Sequence, residues 1–360
     1  MVKTYNVGII GCGDIAVGAP QQRPVPPFQD EQFFSHTASL ALIPRVQIVG
    51  FCDVLPEKLD RVKATWEMRW PDANLYTDYR EMLQKEDLDI LTVATPDTSH
   101  ATMTIDGAQA GVKGIFCEKP MATSLEDADS MIAACDKAGT VLSVNHSRRW
   151  SPLYHRVKDE IRSGAIGTLG TIVGTLGGPR AMLFRNGGHV VDTIRFFAES
   201  EPIKVFARLE EGYDDWDRYK GVGGGSASEH TKNDSEPGAS GFILFKNGVR
   251  AFYVGTKRTF EMFSFQLSGP NGQIYITDRS ASRTTGDRAI GEGMSQPLLP
   301  KDYQVQGLSA AYEELIDNIE GGGTGMSSGK DARETLRIIF SFLDSHQDGS
   351  SMVNFSEQVD

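Results

Sequence analysis

The sequence has few cysteines and no apolar run long enough to cross a membrane. Its four cysteines form no Cys-x-x-Cys pair, and three of them lie in or beside short apolar runs typical of core strands. We therefore expect reduced thiols in a cytoplasmic protein rather than a disulfide scaffold. The first residues lead directly into a strand pattern, which predicts neither a signal peptide nor a membrane anchor. The cysteines are Cys12, Cys52, Cys117 and Cys135.

Clusters of basic residues are also missing. The formal net charge is -12, whereas nucleic acids and anionic membranes attract proteins that carry Lys and Arg clusters. We expect neither as a partner, and no metal site is predicted. What the chain does have is 360 residues, of which 39% are hydrophobic, enough for two domains with real cores.

The first 148 residues alternate short apolar runs with helical patterns. "YNVGIIG", "VQIVGFCD", "DILTVATP", "KGIFCE" and "TVLSVN" indicate strands, and the segments between them indicate helices. Continuously apolar strands that alternate with helices predict a parallel sheet covered on both faces. We therefore predict an α/β Rossmann domain, with a doubly wound parallel sheet, over residues 1–148.

From residue 149 to 360 the pattern changes to longer β-rich segments such as "TLGTIVGTL", "IKVFARLE" and "FSFQLSG". The stretch "FKNGVRAF" contains the Asn-Gly pair typical of a hairpin turn. These features predict an α+β domain with a large, mostly antiparallel open sheet. The glycine-rich pieces "GVGGGSAS" and "EGGGTG" lie outside any strand-to-helix junction, so we interpret them as loops.

The first strand leads into "GIIGCGDIA", in which Gly11, Gly13 and Ala16 follow the G-x-G-x-x-G/A pattern. Such a loop lets the backbone approach a pyrophosphate at a helix N-terminus. We predict that Gly11 and Gly13, with Asp14 and Ile15 at the start of the helix, bind a dinucleotide.

An acidic residue about 20 positions further on normally binds the adenosine ribose. Asp53 ends the second strand, but forty residues after Gly13. Residues 17–35 are rich in Pro, Gln and polar residues, and without this apparent insertion the spacing becomes ordinary. A carboxylate there repels a 2′-phosphate, which favours NAD over NADP. Alternatively, Asp53 only caps the following helix.

These motifs, together with "FCDVLPEK", "TPDTSHATM" and above all "FCEKP", resemble the Gfo/Idh/MocA oxidoreductases, the glucose–fructose oxidoreductase and inositol dehydrogenase family. The resemblance is dense over the first 150 residues. It continues through "RRWSPLYHRVKDEIRSGAIGTLGTI" and "GGHVVDTIRFF" and then fades. The resemblance implies an NAD-dependent dehydrogenase that acts on a hydroxyl of a sugar, polyol or sugar derivative.

In the family, the lysine of "EKP" lies beside the nicotinamide and contacts the reacting hydroxyl, which places Lys119 in both the cofactor and substrate sites. Residues at carboxyl ends of parallel strands commonly bind ligands, and Glu118 can orient the lysine or contact the cofactor. An ammonium held there can stabilise an alkoxide as hydride departs. Alternatively, Lys119 is an ordinary lysine whose charged end reaches solvent.

The resemblance also implies that His189, in "GGHVVDTIRFF", is the general base toward the substrate hydroxyl. Asp192 follows three residues later on the same helix face and is predicted to contact substrate. An imidazole with an ordinary pKa near 6.5 suits proton abstraction near neutral pH. Alternatively, His189 only packs or caps the helix.

One position departs from the family pattern. Many members carry an aspartate four residues before this histidine, where this chain has Arg185. An arginine in the pocket predicts a substrate with an anionic group, such as a uronate, because guanidinium binds carboxylates in pairs of hydrogen bonds. The alternative is that Arg185 turns away and pairs with Asp192 or another carboxylate.

Weaker assignments complete the predicted site. Thr95, Pro96 and His100 resemble the family's dinucleotide-contacting loop, although His100 could simply belong to the next helix. Arg149 and Trp150 suit a polyol by hydrogen bonding and stacking, but interdomain packing explains them equally well.

Two other functions stay open. The enzyme could be redox-neutral, with a bound NAD that is recycled, as in family glycosidases and sugar–sugar oxidoreductases. It could also be a sugar-sensing regulator without turnover. A small-molecule carbohydrate is the predicted ligand, and a homodimer or homotetramer is predicted to form through the C-terminal sheet.

Overall fold

The computed structural model describes residues 3–19, 35–213, 219, 236–286, 293–300 and 307–355. The chain forms two compact units. The first unit comprises the chain up to Trp150 and a later stretch that ends at Arg333. The second unit begins at Ser151. Most of the apparent insertion at 17–35, and all of "GVGGGSAS", lie outside the described residues.

The first unit contains a six-stranded parallel sheet in the order β3-β2-β1-β4-β5-β6. The prediction of a doubly wound parallel sheet is therefore confirmed. Its strands are β1 (Tyr5–Ile10), β2 (Val46–Cys52), β3 (Asn74–Tyr76), β4 (Ile90–Val93), β5 (Gly114–Cys117) and β6 (Val141–Val144). Strand β3 was not predicted, because it has only three residues and two of them are exposed.

Helices connect these strands, and their ends follow the sequence closely. Helix α6 begins after Ser124, whose hydroxyl accepts a hydrogen bond from the Asp127 amide, and it ends at Gly139 in the left-handed conformation. The helices before it are α1 (Asp14–Val17), α2 (His36–Leu40), α3 (Pro56–Trp66), α4 (Tyr79–Lys85) and α5 (His100–Gln109), and α6 covers Leu125–Ala138.

A helix from far along the chain completes the core of this unit. After α7 (Pro152–Arg162) and α8 (Gly187–Ala198), helix α9 (Gly307–Gly321) places Tyr312, Leu315 and Ile316 in the same hydrophobic cluster as β1 and β2. The approach is close: a Cβ on Gly114 of β5 would lie 2.7 Å from the Cδ1 atom of Ile319. The first unit therefore includes a segment beyond the 148/149 boundary that was expected from sequence.

The second unit contains a nine-stranded sheet in the order β14-β13-β12-β11-β7-β10-β9-β8-β15. All neighbours are antiparallel except β7 and β10, so the prediction of a mostly antiparallel sheet is confirmed. The strands are β7 (Thr171–Gly177), β8 (Pro202–Leu209), β9 (Ala239–Phe245), β10 (Arg250–Thr256), β11 (Met262–Gly269), β12 (Gly272–Thr277), β13 (Ala281–Gly286), β14 (Gly293–Leu298) and β15 (Val353–Asn354). Helix α10 covers Gly329–Gln347.

The predicted hairpin joins β9 to β10. Gly248 has a φ of +87°, which a glycine adopts without strain, and its amide donates to the Phe245 carbonyl over 2.9 Å. On one face of the sheet, α8 packs closely over β7, since a Cβ on Gly174 would lie 2.7 Å from Val190. This packing fixes the helix that carries His189.

In the first unit, a buried histidine joins two loops at the carboxyl ends of the strands. His100 is 1% exposed, and its Nδ1 and Nε2 atoms lie 2.8 Å from the Pro120 carbonyl and 2.9 Å from the Thr95 carbonyl. A neutral imidazole has one N–H and can donate to only one of these oxygens. Burial disfavours the charged ring, but the nearby Cys117 sulfur and both carbonyls outweigh it and raise the pKa of His100 to about 9. The raised pKa favours the ring protonated on both nitrogens, which can donate to both carbonyls and so join the β4 and β5 loops.

This arrangement predicts a pH-dependent stability. With a pKa near 6.5 in the unfolded chain and about 9 in the folded one, His100 stabilises the fold fully below about pH 6.5. That contribution, on the order of 3 kcal/mol, should be lost as the pH rises through about 9. The measurement is the free energy of unfolding in urea at several pH values, for the protein and for His100→Gln. The difference between the two should shrink at alkaline pH, and a constant difference would contradict a charged His100.

Candidate functional site

The glycine loop after β1 uses its two glycines for different purposes. Gly11 has a φ of +89°, and a Cβ there would lie 2.4 Å from the Ala94 carbonyl oxygen, so only glycine fits. Gly13 precedes α1, and no heavy atom outside its neighbours lies within 4 Å of the place where its Cβ would be. The space beside Gly13 is the kind that a pyrophosphate needs, so the loop fits a bound dinucleotide.

Asp53 is tied to this loop. Its Oδ2 atom accepts a hydrogen bond from the Cys12 amide over 2.8 Å, and its Oδ1 atom accepts one from the Leu55 amide over 3.0 Å. The Nζ atom of Lys58 lies 3.5 Å from Oδ2. The bond to Leu55 is a turn contact before α3, whereas the bond to Cys12 fixes the glycine loop. The Oδ1 atom takes part in only one of these contacts, so a ribose hydroxyl can still donate to it.

The start of α1 combines a charge with an exposed apolar side chain. The Asp14 carboxylate pairs with Arg61 over 2.6 Å and is largely exposed. Ile15 is 43% exposed and Val54, directly after Asp53, is 75% exposed. Exposed apolar side chains next to a dinucleotide motif suit contact with an adenine ring.

The loop after β4 carries Thr95 and Pro96. The Ser99 hydroxyl lies 2.9 Å from the Thr95 Oγ1 atom and 2.7 Å from the Pro96 carbonyl oxygen. Thr95 is half-buried and Pro96 is exposed, so both remain candidates for contact with a cofactor. The buried side chain of His100 contacts the Thr95 carbonyl and so stabilises the conformation of this loop.

Glu118, directly after β5, is buried, and both of its carboxylate oxygens have hydrogen-bond partners. Its Oε1 atom lies 3.0 Å from His36 Nε2 and accepts from Asn145 Nδ2 over 2.6 Å, while Oε2 accepts from the Lys119 amide over 3.2 Å. Burial alone would raise the pKa of Glu118, but His36, Lys119 and Asn145 outweigh it and lower the pKa to about 2. Lys119, half-buried, is therefore next to an ionised carboxylate.

Two residues of the hydrogen-bonded network around Glu118 were not predicted from the sequence. His36 follows the apparent insertion, and Tyr312, whose hydroxyl lies 2.8 Å from His36 Nδ1, comes from α9. Neither belongs to a recognisable motif, and nearly three hundred residues separate them. A histidine preceded and followed by hydroxyl residues was the only local signal that the sequence offered.

Arg149 and Trp150 make contacts within the first unit. The Arg149 guanidinium donates to the Met326 carbonyl and lies 3.7 Å from the Asp331 carboxylate. The Trp150 indole donates to Glu314 over 2.9 Å, and the residue is 3% exposed. These contacts join the end of the first 150 residues to α9 and to the chain that follows it, all inside the first unit.

The second unit carries His189, in the first turn of α8. His189 is half-buried, and its carbonyl accepts from the Thr193 hydroxyl. Asp192 is 1% exposed and accepts from the Thr335 hydroxyl over 3.3 Å, so its carboxylate is engaged inside this unit.

Arg185 lies in the turn before α8 and is half-buried. Its amide donates to the carboxylate of Glu236 over 3.0 Å, and the Phe184 amide donates to the same oxygen. Glu236 is 6% exposed and was not singled out from the sequence. It fixes the backbone of this turn, and with it the point from which the Arg185 side chain starts.

Neither a metal site nor a membrane helix is evident in the described part of the chain. Among residues whose positions are given, no three His, Cys, Asp or Glu side chains come together as a metal would require. None of the described helices is long and apolar enough to cross a membrane.

Known proteins resemble the chain to different extents. The D-apiose dehydrogenase of Paraburkholderia graminis is 36% identical over 169 residues, which are 46% of this chain and 39% of that protein. The chain thus spans well under two thirds of that relative. The inositol 2-dehydrogenase of Rhizobium meliloti is 26% identical over 309 residues, 81% of this chain and 87% of that protein.

A solved structure supports the fold described above. It is an oxidoreductase from Agrobacterium radiobacter in complex with NAD+, L-tartaric acid and magnesium. The two chains superpose with a TM-score of 0.75 over 98% of each, at 20% identity. The family model described as the NAD-binding Rossmann fold of the GFO_IDH_MocA oxidoreductase family matches residues 5–146. The resemblance found in the sequence is thus confirmed over residues 5–146, which match the NAD-binding Rossmann fold of the Gfo/Idh/MocA oxidoreductase family.

Proposed function

We propose that the protein is an NAD-dependent dehydrogenase acting on a secondary hydroxyl of a sugar, polyol or sugar derivative. The observation that carries the proposal is Lys119, held directly after β5 next to an ionised, buried Glu118 in a unit whose glycine loop fits a dinucleotide. Relatives named as D-apiose and inositol dehydrogenases support the substrate class.

Gly11, Gly13, Asp53 and the Thr95–Pro96 loop would hold the cofactor. Bound NAD would supply a nicotinamide ring that exchanges a hydride with the substrate carbon. The Lys119 ammonium would donate to the substrate oxygen and stabilise its negative charge. His189 would take the hydroxyl proton during oxidation and return it during reduction.

Because of Arg185, substrates with an anionic group should be tested first. Its side chain starts from a turn whose backbone is held by Glu236, and a guanidinium binds carboxylates through paired hydrogen bonds. The direct test of function is therefore a screen of neutral sugars, polyols and uronates with NAD, followed by NADH absorbance. No NADH formation with any of these, and no NADH consumption with their carbonyl products, would reject the dehydrogenase proposal.

We also propose that the protein self-associates through the exposed face of its nine-stranded sheet. The strand register places Phe206, Phe242, Phe252 and Val173 side by side on β8, β9, β10 and β7. The Phe206 and Phe242 rings stack at 5.5 Å, and Phe252 is 41% exposed. A contiguous apolar row on one sheet face is typical of an interface between protein chains.

The first prediction of this proposal concerns the cofactor. Because Asp53 would face the 2′-phosphate, NAD should bind at least about tenfold more tightly than NADP, a difference of about 1.4 kcal/mol. Asp53→Ser should narrow the ratio of the two dissociation constants, measured by calorimetry. The ratio is the proper measure, since loss of the bond to Cys12 loosens the loop for both dinucleotides. Asp60→Ser, on the exposed side of α3, is the control, and equal or tighter NADP binding by the unaltered protein would contradict the prediction.

The second prediction concerns Lys119. Lys119→Ala should lower kcat by about 10² or more, the cost of one oxyanion donor, while NAD affinity changes little. Lys113→Ala is a matched control, because Lys113 precedes β5 and pairs at the surface with Asp89. Unchanged kcat in a folded Lys119→Ala protein would show that Lys119 has no catalytic role and is an ordinary lysine.

The third prediction concerns assembly. Phe252→Glu places a charge in the middle of the aromatic row and should shift the mass measured by sedimentation toward the monomer. Phe260→Glu is the control, because Phe260 is 84% exposed in the loop after β10 and outside the row. A monomeric unaltered protein, or an unchanged mass for Phe252→Glu, would show that this face is not the interface.

A further inference from the structure

Four buried polar side chains from four elements converge near Glu118. His36 comes from α2, Tyr312 from α9, Thr92 from β4 and Asn145 from the end of β6. His36, Tyr312 and Thr92 are fully buried, and Asn145 is 5% exposed. A chain of contacts runs from the Thr92 hydroxyl to Tyr312 (2.6 Å), to His36 (2.8 Å) and to Glu118 (3.0 Å).

Helix α2 has only five residues, but it is fixed on both sides of His36. The Ser35 hydroxyl donates to the Gly18 carbonyl over 2.6 Å, and the Thr37 hydroxyl donates to the Ala16 carbonyl over 2.8 Å. Both acceptors lie at the end of α1, directly after the glycine loop. The two hydroxyls therefore set the direction of the His36 side chain relative to the glycine loop.

In one arrangement of the protons in this chain of contacts, every group donates to the next and the last donates to the carboxylate of Glu118. Burial raises the pKa of Tyr312 well above its ordinary value, so the tyrosine keeps its proton and can donate to His36 Nδ1. The proton of His36 is then on Nε2, from which it donates to Glu118 Oε1. Thr92 completes the sequence by donating to the Tyr312 oxygen. Tyr312 thus fixes the ring tautomer that Glu118 needs.

We propose that His36, supported by Tyr312, is a positioning residue that holds the Glu118 carboxylate and, through it, Lys119. The proposal rests on the proposed function, in which Lys119 contacts the reacting oxygen. Glu118 binds the Lys119 amide with one oxygen and His36 with the other, so a rotation of the carboxylate would release both. Asn145 alone would leave the buried charge with one side-chain donor.

The energetic reason is the cost of a buried charge. A carboxylate removed from water is stable only when enough donors replace its hydration. Within the described part of the chain, the titratable or charged groups that face Glu118 are His36 from α2, Tyr312 behind it from α9, and its own neighbour Lys119. Without His36, burial outweighs the remaining donors, and Glu118 takes up a proton at a higher pH than before.

The test uses three variants with different consequences. His36→Leu removes the donor, whereas His36→Gln keeps an N–H near the position of Nε2 and serves as the conservative rescue. Tyr312→Phe removes only the hydroxyl and keeps the ring that packs against Phe116. We expect His36→Leu to lower kcat about tenfold, with KM and NAD affinity within about twofold, and His36→Gln to recover most of the loss. The kcat of Tyr312→Phe should lie between the values for these two His36 variants.

A second readout separates this inference from the proposed function. The Glu118 carboxyl can be titrated by carbon NMR in protein labelled at glutamate, with Glu118→Gln to assign the signal. In the unaltered protein it should stay ionised to about pH 3, and in His36→Leu it should titrate at least about one pH unit higher. An equal titration in the two proteins overturns the positioning role whether or not a substrate is found. Absence of NAD-linked turnover in the unaltered protein would instead reject the proposed function.

Discussion

The charge on Glu118 is the constraint on which the arrangement around Lys119 depends. An isolated carboxylate in a protein interior costs several kcal/mol, and three N–H donors offset that cost here. Each donor comes from a different part of the chain: α2, the end of β6 and Lys119 itself. The need to satisfy one buried group therefore brings the glycine-loop helices, two strand ends and, through Tyr312, α9 into a single arrangement.

The part of the candidate site that the sequence could predict is the part built from local motifs. Gly11, Gly13 and Asp53 were placed correctly in relation to β1 and β2 because strand patterns and turn chemistry act over a few residues. His36, Tyr312 and Glu236 could not be found, because each acts on a residue more than fifty positions away. The contacts of these side chains can be recognised only when the distances between the helices and strands are known.

The fold shows the same division. The parallel and antiparallel sheets follow from apolar strand patterns, and the hairpin at Gly248 follows from its Asn-Gly pair. The short edge strand β3 was missed, since two of its three residues are exposed and leave no apolar pattern. The return of α9 to the first unit was also missed. The sequence pattern of an amphipathic helix predicts its apolar face, but it does not predict which sheet will cover that face.

That return has a consequence for the order in which the protein can mature. Tyr312, Leu315 and Ile316 belong to one hydrophobic cluster with β1 and β2, yet they are made only after the whole nine-stranded sheet except β15 has been synthesised. On the ribosome, the N-terminal sheet must wait for them with part of its apolar surface uncovered. The first unit thus finishes folding after most of the second has emerged, which makes it the more exposed to chaperones and proteases during synthesis.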